Sequence, residues 1–374
     1  MYFDNAATSW PKPWEVIGKV NDALLKAGNP GRGAHEAALW SANIMYRARG
    51  KLAELFGIEN PLNIGFSENA TGALNFAVNQ ISGPIIVTAM DHNSVLRPCF
   101  SKGNVTMVPA DFRGNLNMDF FMEAITSEVG AVVMTHASNV TGNIYDIKSV
   151  GEKCRENGVL FIVDAAQTAG VVPIDFEKMC IDILCFTGHK GLFGPQGTGG
   201  IAVREGLSLL ALKKGGTGSS SYDIAHPNSM PDVIEAGTQN THGIAGLLAG
   251  VSFVCEYGVE NIYRHEKHLS QLFRKQIKDV ENIKVYGDFI GDYVGIVSLN
   301  IVDIDSSELC SMLSEFDIYV RGGSHCAPFA HRAIGTEDTG LVRFSFGAMN
   351  AEEEAIQAGK VVRQIGESVK LNEK

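Results

Sequence analysis

Residues 158–167 read GVLFIVDAAQ, an apolar run that ends at a carboxylate. Three other runs have the same character, and helix-like segments separate them: PIIVTAM (84–90), GAVVMTH (130–136) and DILCFTG (182–188). Continuous apolar runs of this kind are typical of strands that are buried on both faces of a sheet. The alternation of such strands with helices predicts an α/β domain with a mostly parallel sheet.

The pattern of the chain changes near residue 256. A long charged helix (NIYRHEKHLSQLFRKQIKDV) is expected there, followed by a strand (YVGIVSLNIV) and a shorter helix (SSELCSMLSEF). We therefore predict a large α/β domain over 15–255 and a small α+β domain over 256–374, joined by residues 1–14. Just before the boundary, the apolar stretch 243–255 is too short to span a bilayer, and its GxxxG spacing indicates a closely packed core helix.

Composition excludes several classes of function. The chain has 374 residues and a net charge of −11, so a basic nucleic-acid-binding surface is not expected. The first residues, MYFDNAATSWPKP, lack the basic and apolar regions of a signal peptide, and we expect no membrane association. The seven cysteines are odd in number and form no CxxC, which argues against a zinc site or a disulfide framework. A reducing, cytoplasmic location fits this cysteine usage.

Polar side chains follow the apolar runs at the point where each predicted strand ends. Because parallel strands share one carboxyl edge, ligands of open α/β sheets bind at that edge. The side chains expected to meet there are, in chain order, Asp91, His92, Asn93, Asn139, Asp164, Gln167, His189 and Lys190.

Neither Asp164 nor Lys190 is specific alone, because a strand-end carboxylate is more often a helix cap or an ion-pair partner and a lone lysine is usually solvated. The segment FTGHKGLFGPQGTGG (186–200) matches neither a P-loop nor a GxGxxG motif. As a pair, however, a lysine and an aspartate are the groups with which proteins hold the aldehyde and ring nitrogen of pyridoxal 5'-phosphate (PLP). The segment SENATGALN offers a helix N-terminus at Ala70 and Thr71 for the phosphate.

With these residues in place, the chain resembles the class V aminotransferase family of fold-type I PLP enzymes, in its SufS-like cysteine desulfurase and selenocysteine lyase branch. The matching stretches run almost from end to end: YFDNAATSWPKP, GNPGRGAHEAA, SENATGALN, DHNSVLRP, SNVTGNI, VDAAQ, TGHKGLFGPQGTG, EAGTQN, VRGGSHCAP and VRFSFGAMN. The resemblance implies a seven-stranded, mostly parallel sheet flanked by helices, a smaller α+β domain and a homodimer.

The resemblance also implies roles for individual residues around the cofactor. Lys190 would carry PLP, Asp164 would pair with the ring nitrogen, and His92 would stack on the ring. Gln167 and Asn139 would contact the ring oxygen or the substrate.

Further roles concern the phosphate and the substrate. The residues expected at the phosphate are Ala70, Thr71, Thr187 and His189, with Thr238 reaching the phosphate of the neighbouring subunit. Arg343 would clamp the substrate carboxylate in the bidentate geometry that suits a guanidinium, and Asn139, Ala7 and Arg321 would complete the substrate site.

The stretch RGGSHCAP (321–328) carries the thiol of the predicted reaction. By the resemblance, Cys326 attacks the sulfur of PLP-bound L-cysteine and keeps it as a persulfide for an acceptor protein, while L-alanine leaves. Since the thiolate is the nucleophile, nearby cations would help by lowering its pKa, and Arg321 and His325 are candidates.

Other functions remain open from the sequence. A selenocysteine lyase acting on L-selenocysteine has the same fold and site, as does an aminotransferase or another lyase. A sulfur carrier that has lost turnover is a third possibility. Metal-based hydrolysis through His35, His92, His136 and His189 lacks any metal-ligand spacing, and no metal is expected.

Overall fold

The computed structural model describes residues 1–31, 33–219 and 222–369. Its strands form two separate sheets. The strands are β1 (Ile64–Ser67), β2 (Ile85–Thr88), β3 (Val105–Val108), β4 (Ala131–Thr135), β5 (Leu160–Asp164), β6 (Ile183–Thr187), β7 (Gly199–Val203), β8 (Ile283–Tyr286), β9 (Ile296–Ile301), β10 (Arg321–Gly323) and β11 (Leu341–Ser345).

Helices cover both sheets. They are α1 (Trp14–Lys26), α2 (Glu36–Phe56), α3 (Ala70–Asn79), α4 (Asn93–Lys102), α5 (Met118–Ala124), α6 (Ile147–Asn157), α7 (Thr241–Tyr257), α8 (Val259–Ile277), α9 (Ser306–Ser314), α10 (Pro328–Ile334) and α11 (Glu352–Ser368).

The large sheet has seven strands in the order β1-β7-β6-β5-β4-β2-β3. The neighbouring strands from β6 to β3 pair in parallel, whereas β7 runs antiparallel to both β6 and β1. Both faces are buried: Val132 and Met134 of β4 pack into one apolar cluster, and Ala131 and Val133 pack into another on the opposite face. Burial on two faces explains why these strands read as continuous apolar runs. The predicted α/β fold class is confirmed.

The small sheet has four antiparallel strands in the order β10-β11-β9-β8. Phe273 of α8 packs against Phe344 of β11 in its core, with ring centroids 4.5 Å apart. The N-terminal segment reaches this sheet, since Asp4 forms a bridge with Ser345 at the end of β11. The domain boundaries expected from the sequence stay a prediction.

Helix α7 is packed as closely as its GxxxG spacing predicts. A Cβ atom placed on Gly250 would lie 2.2 Å from the carbonyl oxygen of Leu192, and one on Gly246 would lie 2.7 Å from Pro195. Of the helices in the described residues, none alone is long and apolar enough to cross a membrane. Helices α7 and α8 pass by length and composition only as a pair, across an 81° bend.

Candidate active site

Asp164 is the last residue of β5, in the middle of the large sheet. Its neighbours in register are Thr135 on β4 and Cys185 on β6. The side chain is 3% exposed, and its Oδ1 accepts a hydrogen bond of 2.9 Å from the backbone N–H of Ala166. Burial raises the pKa of this carboxyl, with the Ala166 N–H and the charge of Lys190 acting against that rise. A carboxylate in this position is stabilised by a cationic partner.

Lys190 lies on the loop after β6, where its carbonyl accepts hydrogen bonds from Ser9 Oγ and the N–H of Phe193. Burial, reinforced by the charge of Arg343, lowers the pKa of the amine to about 8. Lys190 and Asp164 line one cavity of about 100 Å³, which we call the inner cavity. Its other lining residues are Asn69, Ala70, Thr71, His92, Ser94, Thr135, Asn139, Ala166, Gln167, Thr187 and His189.

His92 caps the N-terminus of α4, and the cap fixes its imidazole. Its Nδ1 accepts a hydrogen bond of 3.0 Å from the backbone N–H of Ser94, which leaves the ring proton on Nε2. Burial, followed by the charge of Lys190, lowers the pKa of His92 to about 4. The imidazole is therefore neutral near pH 7. A neutral imidazole can stack on the face of another ring.

Part of the lining of the inner cavity is suited to an anion. Helix α3 begins there at Ala70, and Asn69 caps it by accepting a hydrogen bond from the N–H of Gly72. Among the described residues, Thr187 Oγ1 and His189 Nδ1 are buried without a hydrogen-bond partner. Phosphate oxygens would satisfy both atoms and the helix N-terminus. With the carboxylate of Asp164 and the amine of Lys190 on the wall of the same cavity, the residues present fit PLP.

Asn139 connects the loop of Cys326 to Arg343, so its side-chain amide is not free. It is 7% exposed, and its Nδ2 donates a hydrogen bond of 2.8 Å to the carbonyl of His325. Its own carbonyl accepts a hydrogen bond of 2.9 Å from Nη1 of Arg343. Gln167 likewise lines the inner cavity while its Nε2 donates to the carbonyl of Ala6. The predicted contacts of Asn139 and Gln167 with a cofactor or substrate stay predictions.

Cys326 is exposed, and residues outside its loop form hydrogen bonds with the loop's backbone. His325 and Cys326 both adopt left-handed conformations, with φ of 50° and 57°, which non-glycine residues rarely do. The carbonyl of Cys326 accepts a hydrogen bond of 2.8 Å from the N–H of Asn93. With the Asn139 amide on the carbonyl of His325, two neighbouring carbonyls of the loop are anchored to the large sheet's edge.

A second cavity of about 560 Å³, which we call the outer cavity, has Cys326 on its wall. Thr71, His92 and Ser94 line both the inner and the outer cavity. Cys326 therefore faces a cavity that adjoins the one containing Lys190 and Asp164. This arrangement places a solvent-exposed thiol next to the inner cavity.

The expectation that His325 is a cation beside the thiol is wrong. His325 is only 6% exposed, and burial lowers its pKa to about 3, so the ring is neutral. It stacks on His331, with ring centroids 5.8 Å apart. Arg321 is left as the candidate cation of the loop; it is exposed and pairs in register with Arg343.

Arg343 is 2% exposed and already has an acidic partner. Its Nη2 lies 3.0 Å from Oδ1 of Asp4, which sequence reasoning missed although YFDNAATSWPKP was among the matching stretches. The guanidinium Nε is buried without a partner among the described residues. Burial lowers the pKa of Arg343, with Asp4 acting against that change. A substrate carboxylate at Arg343 would meet one free donor and one shared with Asp4.

Two predicted residues are not on the wall of either cavity. Ala7 lines neither, although its neighbour Ala6 accepts the Gln167 hydrogen bond. Thr238 is exposed and lines a separate cavity of about 800 Å³, together with Arg49 and Glu235. A residue that acts in a neighbouring subunit must lie outside the cofactor cavity of its own chain, and Thr238 meets this condition.

The histidines considered for a metal site have separate structural roles. His35 caps α2, and His136 Nδ1 lies 3.0 Å from the hydroxyl of Thr168. Within residues 1–31, 33–219 and 222–369, no three His, Cys, Asp or Glu side chains are grouped to hold a metal ion.

A comparison with family models identifies the chain's relatives. The model of Aminotransferase class-V matches residues 1–357. The chain belongs to the class V aminotransferase family. Enzymes of this family and of its cysteine desulfurases generally use PLP.

Individual relatives define the branch of the class V aminotransferases. The chain is 30% identical to a probable cysteine desulfurase of Methanothermobacter thermautotrophicus, over 98% of this chain and 94% of the relative. It is also 30% identical to cysteine desulfurase IscS of Buchnera aphidicola, over 97% and 92% of the two chains. The apo structure of cysteine desulfurase from Thermococcus onnurineus NA1 superposes with a TM-score of 0.92 at 28% identity, covering 99% of this chain and 95% of that one. The predicted cysteine desulfurase branch is confirmed.

Proposed function

We propose that this chain is a PLP-dependent cysteine desulfurase whose Cys326 receives sulfur from L-cysteine. One observation carries the proposal: an exposed thiol is anchored beside the cavity in which Lys190 and Asp164 meet. The net reaction converts L-cysteine and the Cys326 thiol into L-alanine and a Cys326 persulfide. The substrate's C–S bond breaks, a new S–S bond forms, and a proton takes the place of sulfur on the substrate carbon.

PLP, when bound, would supply an electron sink that weakens bonds at the carbon atoms of the amino acid. Lys190 would hold its aldehyde carbon, and Asp164 would keep the ring nitrogen protonated. The lowered pKa of Lys190, about 8, makes the neutral amine accessible near neutral pH, so this side chain can both bind a carbonyl carbon and move a proton.

The substrate carboxylate would bind at Arg343. Its buried Nε has no partner, whereas Nη2 is paired with Asp4, so Asp4 competes with the incoming carboxylate. Arg343 is held in place by the carbonyl of Asn139, and the same Asn139 anchors the loop of Cys326. The carboxylate site and the thiol are thus positioned by one residue.

The thiol of Cys326 must reach its thiolate form to attack sulfur. Arg321 is the cation that would favour this form, because His325 is neutral. The thiol must also stay reduced between turnovers, and a cytoplasmic location is therefore part of the proposal. A homodimer and a separate sulfur acceptor complete it.

The decisive experiment compares L-cysteine and L-selenocysteine as substrates of the parental holoenzyme and of Cys326→Ala. With L-cysteine, we expect Cys326→Ala to lose persulfide formation and alanine release by at least about 100-fold while retaining the PLP absorbance band, because only the nucleophile is removed. Alanine is measured by chromatography and persulfide by mass spectrometry of the intact chain.

Two results would contradict the proposal. Persulfide formation at the parental rate in Cys326→Ala would mean that another thiol is the nucleophile. Equal activity of both proteins on both substrates would instead favour a lyase that needs no attacking thiol. Lys190→Ala, which should lose the covalently held PLP, is the control for the cofactor site.

A further inference from the structure

The loop of Cys326 is held, so the thiol does not travel to its acceptor. Hydrogen bonds from Asn93 and Asn139 anchor the carbonyls of Cys326 and His325. The residues that follow form α10 without a spacer, since that helix begins at Pro328. A sulfur acceptor must therefore enter the outer cavity to reach Cys326.

The outer cavity is cationic, although the chain as a whole carries a net charge of −11. Arg97 and Lys102 of α4 line it, and no Asp or Glu side chain does so in the described residues. Lys102 is partly occupied, since its Nζ donates hydrogen bonds to the carbonyls of Asn79 and Ile81. Arg97 is exposed, and its guanidinium makes no hydrogen bond or ion pair with any described residue.

The acids nearest in sequence to the cavity wall are already occupied. Asp91, which precedes His92, is fully buried and accepts hydrogen bonds from the backbone N–H groups of Thr88 and Thr135. Glu68, two residues before α3, forms an ion pair of 3.1 Å with Lys213. Arg97 therefore presents an uncompensated guanidinium to whatever enters, and a guanidinium binds a carboxylate through two parallel hydrogen bonds.

Exposed apolar side chains on the segments that form the outer cavity favour a protein as the visitor. Leu212 lines the cavity, Leu210 lies two residues before it, and Phe100 lies on α4. Phe100 and Leu212 are 47% and 46% exposed, and Leu210 is 68% exposed. Phe100 stacks on Phe329 of α10, with ring centroids 6.1 Å apart and planes 8° from parallel. Exposed apolar groups around a polar centre are the mark of a surface that contacts another protein.

We propose that the outer cavity receives the acceptor cysteine of a second protein, carried on an exposed loop with an Asp or Glu beside it, and that Arg97 binds that carboxylate. The inference rests on the proposed function, because it concerns the discharge of the Cys326 persulfide. A small thiol such as glutathione offers carboxylates but no apolar surface that could cover the exposed side chains of Leu212 and Phe100.

The transfer itself is balanced without a further reagent. The acceptor thiolate, having released its proton to solvent, attacks the outer sulfur of the Cys326 persulfide. A new S–S bond forms on the acceptor while the S–S bond to Cys326 Sγ breaks, and Cys326 leaves as a thiolate. The number of S–S bonds is unchanged, so no oxidant or reductant is consumed.

The test uses the holoenzyme loaded with persulfide from L-cysteine and then freed of substrate. Discharge is timed with two synthetic loop peptides that each contain one cysteine, flanked by Asp and Glu in one and by Asn and Gln in the other. Each rate is divided by the amount of persulfide loaded and by the peptide's own rate with a small disulfide, because acidic neighbours change the reactivity of a thiol.

We expect the acidic peptide to discharge the parental enzyme about tenfold faster than the neutral one, with the preference falling as salt rises. Arg97→Glu should abolish or reverse the preference. Lys360→Glu, an equal change of charge at an exposed position on α11, is the matched control and should keep it.

Three results would overturn the inference while leaving the proposed function intact. They are equal discharge by both peptides, an unchanged preference in Arg97→Glu, and discharge by glutathione at the rate of the acidic peptide. Failure of the parental enzyme to load a persulfide on Cys326 would instead remove the proposed function, and this inference with it.

Discussion

Glu266 is a buried carboxyl on α8 that neither the cofactor nor the substrate uses. It is 6% exposed, and burial raises its pKa to about 8, against a lowering effect of the N–H of Ala348. An unfolded chain would release this proton near the ordinary value of 4.5, so between these pH values the folded chain binds more protons than the unfolded one. The free energy of unfolding therefore decreases as pH rises through this window.

We predict that Glu266→Gln removes this part of the pH dependence. Relative to the parental protein, the variant should gain roughly 3 kcal/mol of unfolding free energy between pH 5 and pH 8, because a neutral amide has no proton to lose. Urea unfolding of both proteins at the two pH values measures the difference. If the gap between the proteins is the same at both, Glu266 does not titrate in this range.

At the scale of residues, the sequence predicted groups whose position follows from their own strand. Asp164 and Lys190 each follow an apolar run, and the carboxyl edge of a parallel sheet brings them together. The partner of Arg343 could not be inferred in this way, because Asp4 is 339 residues away along the chain. The neutral state of His325 was missed for a similar reason, since burial by tertiary contacts decides its pKa.

At the scale of elements, the packing of α7 depends on the absence of a side chain at Gly250. A Cβ there would lie 2.2 Å from the backbone oxygen of Leu192, which has no rotamer with which to move aside. We predict that Gly250→Ala lowers the free energy of unfolding by roughly 1–3 kcal/mol or more, as overpacking does. Chemical denaturation of the apoprotein measures this effect.

Gly18→Ala is the matched control for the intrinsic preference of alanine for helices. Gly18 lies in α1, and nothing would lie within 4 Å of its added Cβ. This variant should gain roughly 0.5–1 kcal/mol. If Gly250→Ala unfolds at the same denaturant concentration as Gly18→Ala, the close approach of α7 to Leu192 is not a constraint on the fold.

The four apolar runs that the sequence analysis quoted correspond to β2, β4, β5 and β6, in which every buried residue except the last of each strand is apolar. Strand β7 escaped notice because it begins with glycines, which usually indicate a loop. Here the glycines allow close pairing: a Cβ on Gly200 would lie 2.6 Å from the carbonyl oxygen of Gly65 on β1. Such a contact between distant strands has no local signal.

At the scale of the whole molecule, the predicted homodimer can be tested through the division of one site between two chains. Lys190 lines the inner cavity, whereas Thr238 lines a different cavity of its own chain. We predict that Lys190→Ala and Thr238→Asp are each inactive, the second because a carboxylate repels the phosphate. When the two variants are refolded together, half of the dimers should contain one chain of each variant. Each such dimer has one intact site of its two, so the mixture should recover about one quarter of the parental alanine production.

Co-refolding of each variant with itself is the control, and sedimentation of the parental chain gives the oligomeric state. No recovery in the mixture, with dimers present, would place Thr238 outside the neighbour's phosphate site. The sequence alone could only suggest this arrangement through family resemblance, because composition says nothing of which faces meet.

The position of Cys326 on the wall of the outer cavity has a pharmacological consequence. A volume of about 560 Å³ is in the range that binds drug-sized molecules. An anionic electrophile that fits there could bind reversibly at Arg97 and then alkylate the thiol, blocking sulfur acquisition and sulfur release in one event. Selectivity would come from the reversible binding at Arg97, since alkylation by itself does not distinguish Cys326 from other exposed thiols.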